Sequence, residues 1–115
     1  MIDWEDLAQQ QIAETQRALP ESIRARAIEV PVFLKPARSG KGQACLGVFE
    51  GYSLMNGPPT QPDEMPRITL FFDTLARAAN YRENVFLREV RVTYLHELGH
   101  YLGWDEEQIA NAGLG

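Results

Sequence analysis

Two histidines, the only ones in the chain, stand four residues apart as His96 and His100, with Glu97 directly after the first. Residues i and i+4 of an α-helix lie on one face, so both imidazoles can bind the same metal ion. Glu97 lies about 100° further round the helix, beside that ion. This HExxH spacing predicts a zinc site in which the histidines hold the metal and Glu97 is the general base for a water molecule.

A catalytic zinc site takes a third protein ligand, and the residues after the motif include three acids. Gly103 can adopt the left-handed conformation that ends a helix, which would turn the chain back towards the metal. Asp105, Glu106 and Glu107 follow. Asp105 has the spacing of a capping box with Gln108, which would occupy its side chain with backbone N–H groups. We therefore favour Glu106 as the third ligand, with Asp105 and Glu107 as the alternatives.

The segment from His96 to Glu106 resembles the HExxHxxGxx(H/D/E) signature of metzincin-type zinc peptidases. More closely, the chain resembles a family of very small bacterial zincin-like metallopeptidases. Further similar parts lie upstream, at 18–20, 46–51 and 66–71. The resemblance implies that His96, His100 and Glu106 bind Zn²⁺ and that Glu97 is the catalytic base. The family's usual third ligand is an aspartate, where this chain has a glutamate.

The periodicity of the chain predicts the elements that must position these residues. Amphipathic and apolar runs predict helices at 3–19, 21–27 and 82–102, a helical turn at 73–79, and a last helix opening at Asp105. Strands are predicted at 29–34, 44–52 and 67–72. With the resemblance, this pattern predicts an α+β fold, a minimal zincin-like domain spanning 1–115. Its small mixed sheet would pack against the N-terminal helix and a buried active-site helix.

Three features bear on how the elements are arranged. Pro31 indicates that the first strand lies at an edge of the sheet or carries a bulge. Glycines at 40 and 42 predict a turn at 39–42. The proline-rich segment 53–66 predicts a long loop, which would serve either as a flap over the substrate or as a plain connector.

Composition and charge disfavour several classes of function. The net charge of −5 disfavours binding to RNA, DNA or an anionic membrane, so no nucleic acid or membrane partner is expected. No apolar run approaches the roughly 20 residues of a membrane span. Cys45 is the only cysteine, so no internal disulfide can form, and the acidic first residues do not resemble a secretory signal. We expect a cytoplasmic protein, and the sequence leaves its oligomeric state open.

The preferred function is zinc-dependent hydrolysis of peptide bonds in a peptide or protein substrate. Such a substrate could pair with the edge of the strand at 67–72 or of that at 44–52. Tyr52, Tyr94 and Tyr101 are candidate oxyanion donors, although packing roles are favoured for all three.

Two alternative functions stay open. The first is a zinc-binding module without catalysis, against which Glu97 weighs, because a structural site does not need it. The second is a metal-dependent endoribonuclease, since the motif also looks like that of bacterial ribosomal-RNA maturation enzymes. Those enzymes have a third histidine where this chain has Glu106, and they lack the glutamate after the first histidine.

Overall fold

Five α-helices and three β-strands form an α+β fold in the computed structural model, which describes residues 1–40 and 44–111. The helices are α1 (Trp4–Arg17), α2 (Glu21–Ala27), α3 (Phe72–Ala78), α4 (Glu83–Tyr101) and α5 (Glu106–Asn111). The strands are β1 (Val32–Lys35), β2 (Gly47–Glu50) and β3 (Arg67–Phe71). Two short 3₁₀ helices, Leu54–Asn56 and Pro62–Glu64, lie between β2 and β3. The predicted fold class is confirmed, and so is the type of each predicted helix and strand.

The three strands form one mixed sheet in the order β1-β3-β2. The central strand, β3, is parallel to β1 and antiparallel to β2, with Ile68 opposite Val32 on one side and Phe49 on the other. Pro31 directly precedes the edge strand β1, and its carbonyl accepts a hydrogen bond from the Ile68 N–H at 3.0 Å. The predicted edge position is thus confirmed.

The observed bounds of the strands differ from the predicted ones. Strand β1 begins at residue 32 rather than 29, and β2 spans 47–50 rather than 44–52. Residues 29 and 30 belong to the turn after α2, because their N–H groups bond back to Arg26 and Ala27. Gly51 ends β2 with a φ of +96°, in the left-handed region. The turn predicted at 39–42 lies partly outside the described residues.

Helix α4 carries the HExxH motif and supplies much of the core. Phe86, Val90, Tyr94, Leu95 and Leu98 are fully buried on it, against α1, α3 and the sheet. Helix α1 begins after the N-cap residue Asp3, whose Oδ1 accepts a hydrogen bond from the Asp6 N–H at 3.0 Å. The predicted buried helix is therefore present, and in its last two turns Leu95, Leu98 and Tyr101 stay in the core while the two histidines are half-buried. Within the described ranges, no helix has the length and apolar character needed to cross a membrane.

Candidate metal centre

The two histidines lie on one face of the last turns of α4, as their spacing predicts. Their ring centroids are 4.8 Å apart, with an angle of 80° between the ring planes. Both side chains are half-buried, in contrast to the fully buried Leu98 between them. The helix thus presents two imidazoles at a partly open surface, where an ion and a substrate have access.

Glu97 completes a compact group with the histidines. Ligand atoms of His96, Glu97 and His100 all lie within 4.8 Å of one another. Burial raises the pKa of the Glu97 carboxyl. The charges of His100 and His96, and a hydrogen bond from the backbone of Phe49, act in the opposite direction. Glu97 is therefore a carboxyl with a raised pKa held beside two imidazoles, which suits proton transfer.

Strand β2 approaches α4 closely enough to place Phe49 beside Glu97. A Cβ atom at Gly47 would lie 2.7 Å from Leu70 Cδ2 and 2.8 Å from Thr93 Cγ2, so only glycine fits between β3 and α4. Nothing in the sequence indicates Phe49, because its position depends on the pairing register of β2.

Along β2, the backbone N–H and C=O groups of successive residues point alternately towards β3 and away from it. The Phe71 N–H donates to the Leu46 carbonyl, so residue 46 forms a hydrogen-bonded pair with β3. Such pairs alternate in antiparallel strands, and the N–H and C=O groups of Gly47 and Phe49 therefore face the free edge of β2, with which no other described strand pairs. On that edge the Cys45 thiol donates to the Gly47 carbonyl at 3.1 Å.

The chain reverses after α4 through a turn at Gly103. This residue has a φ of +78°, and its N–H donates to the His100 carbonyl at 3.0 Å. The N–H of Trp104 donates to the Gly99 carbonyl, also at 3.0 Å. This pair of bonds is the Schellman arrangement that ends helices at a left-handed residue. It directs the chain back along α4, towards the histidines.

Among the three acids beyond the turn, Asp105 and Glu106 have different partners. Asp105 Oδ1 accepts a hydrogen bond from the Gln108 N–H, and Gln108 Oε1 accepts one from the Asp105 N–H, both at 2.8 Å. The predicted capping box is therefore confirmed. Glu106 is exposed, and its Oε1 lies 3.2 Å from His96 Nε2, but it is not among the residues whose ligand atoms all lie within 4.8 Å of one another. Glu107 is exposed, and no ion pair joins it to another described residue.

The hydroxyls of the three candidate tyrosines have partners away from the metal centre. Tyr94 is fully buried and accepts a hydrogen bond from Gln16 at 3.0 Å. The Tyr101 hydroxyl donates to Glu29 at 3.1 Å. Tyr52 bonds Glu64 through its side chain. These contacts favour structural roles for all three residues.

The loop between β2 and β3 reaches the turn after α4. Each of its two short helices begins with a capping box, formed by Ser53 with Asn56 in the first and by Gln61 with Glu64 in the second. The side chain of Met55 lies directly against Gly103. The loop also lines a cavity of about 400 Å³ together with Tyr101, the residue after His100. It is thus an ordered segment that adjoins the motif.

Comparison with known proteins identifies one family. The model of a family described as zincin-like metallopeptidase matches residues 22–114, which include all five motif residues and Glu106. No curated protein matches the chain.

Proposed function

The chain belongs to the zincin-like metallopeptidase family, and we propose that it hydrolyses peptide bonds in a peptide or protein substrate with one zinc ion. In this proposal His96, His100 and Glu106 hold the zinc, and Glu97 is the general base. The donor atoms fit the metal, because zinc takes imidazole nitrogens and carboxylate oxygens. Three protein ligands leave a fourth position for water or substrate.

The position of Glu97 is the observation that carries this proposal. Its carboxylate lies within 4.8 Å of the ligand atoms of both histidines, and burial raises its pKa. A purely structural zinc site needs no such carboxyl group beside its ligands, whereas hydrolysis does.

Glu97 would move the proton in the reaction. Zinc, when bound, supplies a water with a pKa of about 7 and a Lewis acid for the substrate carbonyl. Glu97 accepts the proton of the attacking water at its carboxylate and donates it to the leaving amine. The backbone of Phe49 orients the carboxylate through its hydrogen bond.

The substrate would bind along the free edge of β2. On that edge the Gly47 carbonyl and the Phe49 N–H are engaged by Cys45 and Glu97, so an extended peptide would add as a further strand through the Gly47 N–H and the Phe49 carbonyl. The other predicted candidate, the strand at 67–72, is wrong, because β3 is paired on both sides. An edge strand beside Glu97 would bring a peptide backbone to the proton carrier.

A matched pair of proteins tests this function. Zinc-loaded wild-type protein and the Glu97→Gln variant are incubated with a mixed peptide library, and new termini are identified by mass spectrometry. We expect cleavage by the wild type only, with equal zinc content in both proteins, because the glutamine side chain keeps the shape and loses the base. Cleavage by both at the same rate, or no cleavage of any peptide by the zinc-loaded wild type, would contradict the proposal.

A further inference from the structure

Gly99, inside the motif, has no side chain because α5 packs against it. A Cβ atom built on Gly99 would lie 2.5 Å from both Cδ1 and Cγ1 of Ile109. Ile109 is 4% exposed and is the buried residue of α5. A glycine in a helix interior costs about 0.5–1 kcal/mol relative to alanine. The packing of Ile109 therefore accounts for the glycine at position 99, which helix stability alone disfavours.

The packing of Ile109 also fixes the position of Glu106. These residues are three apart on α5, so their side chains are neighbours on one helix face. Ile109 lies against Gly99, while Glu106 reaches Nε2 of His96 at 3.2 Å. The bond from Trp104 N–H to the Gly99 carbonyl holds the intervening turn at the same point of α4. One helical turn of α4 therefore carries both the histidines and the contact surface for the helix that bears the carboxylate.

We propose that Gly99 and Ile109 are positioning residues for the third zinc ligand: their contact sets the distance of Glu106 from His96 and thereby the affinity for zinc. This inference rests on the three-ligand site proposed above. It differs from a general stabilising role, because it requires the effect of Ile109 on zinc to pass through Glu106.

A double-mutant cycle separates these two roles. Zinc affinity is measured by competition with a chromophoric chelator for the wild type, Ile109→Ala, Glu106→Ala and the double variant. Loss of residues that support a metal ligand typically lowers affinity about 10–100-fold, so we expect at least about tenfold weaker binding by Ile109→Ala. In the Glu106→Ala background the same substitution should change affinity less than about twofold, because no ligand remains to be positioned.

A second pair of variants adds a compensation test. Gly99→Ala should weaken zinc binding by displacing Ile109 and α5. In that background Ile109→Ala should restore affinity, because the two Cβ atoms would then lie at an ordinary contact distance of 3.7 Å. Ile109→Ala should thus weaken zinc binding in the wild-type background and strengthen it in the Gly99→Ala background. Ile109→Val, which keeps the fold with the smallest loss of volume, should weaken zinc binding less than Ile109→Ala.

Ile12→Ala is the control for a buried isoleucine, because Ile12 is 7% exposed and lies on α1. It should lower thermal stability and leave zinc affinity unchanged. Two results would overturn this inference and leave the proposed function standing. One is that Ile109→Ala binds zinc as tightly as the wild type. The other is that Ile109→Ala lowers zinc affinity equally with and without Glu106. Failure of the wild type to bind zinc would contradict the proposed function and this inference together.

Discussion

Glu106 and His96 meet across the turn that follows α4, with Oε1 of the carboxylate 3.2 Å from Nε2 of the imidazole. Gly103 makes this turn, and the capping box of Asp105 starts the helix that carries Glu106. The contact distinguishes Glu106 from the neighbouring acids, because Asp105 is engaged with the backbone of Gln108. In the proposed zinc site, this contact makes Glu106 the third protein ligand beside His96.

Replacing Glu106 should therefore weaken zinc binding far more than replacing the next acid. We expect Glu106→Ala to lower zinc affinity at least about tenfold, since removal of a supporting residue alone typically costs about 10–100-fold. Glu107→Ala makes the same charge change on the same helix and should leave affinity within about twofold. Chelator competition measures both. Equal affinity of Glu106→Ala and the wild type would exclude Glu106 as a ligand.

Asp105 should act on zinc only through the stability of α5. Loss of an N-cap side chain costs about 1 kcal/mol of helix stability, so Asp105→Ala should speed amide exchange in 106–109 and weaken zinc binding modestly. The Asp105→Asn variant should keep the amide exchange and the zinc affinity of the wild type, because asparagine caps helices as well as aspartate does. A loss of zinc in Asp105→Asn as large as in His96→Ala would instead identify Asp105 as the ligand.

Gly103→Ala should destabilise the protein by two effects that can be separated. The left-handed conformation costs about 1–2 kcal/mol for a residue with a side chain. The new Cβ would also collide with Met55. Gly40 has a φ of +72°, and no atom of the described residues lies within 4 Å of a built Cβ, so Gly40→Ala should lower the melting temperature less. Met55→Ala should relieve part of the loss in Gly103→Ala, and no relief would argue against a contact between the loop and the turn.

Acid should loosen the loop at Glu64. Hydrogen bonds from the Thr60 N–H and the Tyr52 side chain lower the pKa of this carboxyl. A folded-state pKa below the unfolded value stabilises the loop above the unfolded pKa, and this stability is lost as the pH falls through the folded pKa. Amide protection at Thr60 and Gln61, whose N–H groups donate to Glu64 at 2.7 and 3.1 Å, should fall on acidification. Protection that stays unchanged, or an acid response that persists in Glu64→Gln, would contradict this role.

The parts of the site that depend on short spacings could be predicted from the sequence. The helical repeat alone puts His96 and His100 on one face, and the capping box of Asp105 depends on a separation of three residues. The turn at Gly103 is likewise local, because it follows from the conformational freedom of glycine at a helix end.

The parts that depend on tertiary pairing could not be predicted. A strand pattern says nothing about strand order, so the sequence left 67–72 as a candidate edge although β3 is the central strand. The contact of Phe49 with Glu97 requires the register of β2 and its approach to α4. The sequence shows a glycine inside a helix at position 99, but only the fold identifies Ile109 as the side chain that packs against it.

The ligand set of the zinc-loaded protein tests the central claim most directly. A crystal structure of the full chain with zinc, combined with metal analysis in solution, should give one zinc per chain bound by His96, His100 and a Glu106 oxygen. Ligand distances of about 2.0–2.2 Å are expected, with Glu97 outside the ligand set. Absence of bound zinc, or a site in which Glu97 takes the place of Glu106 as a ligand, would contradict the account.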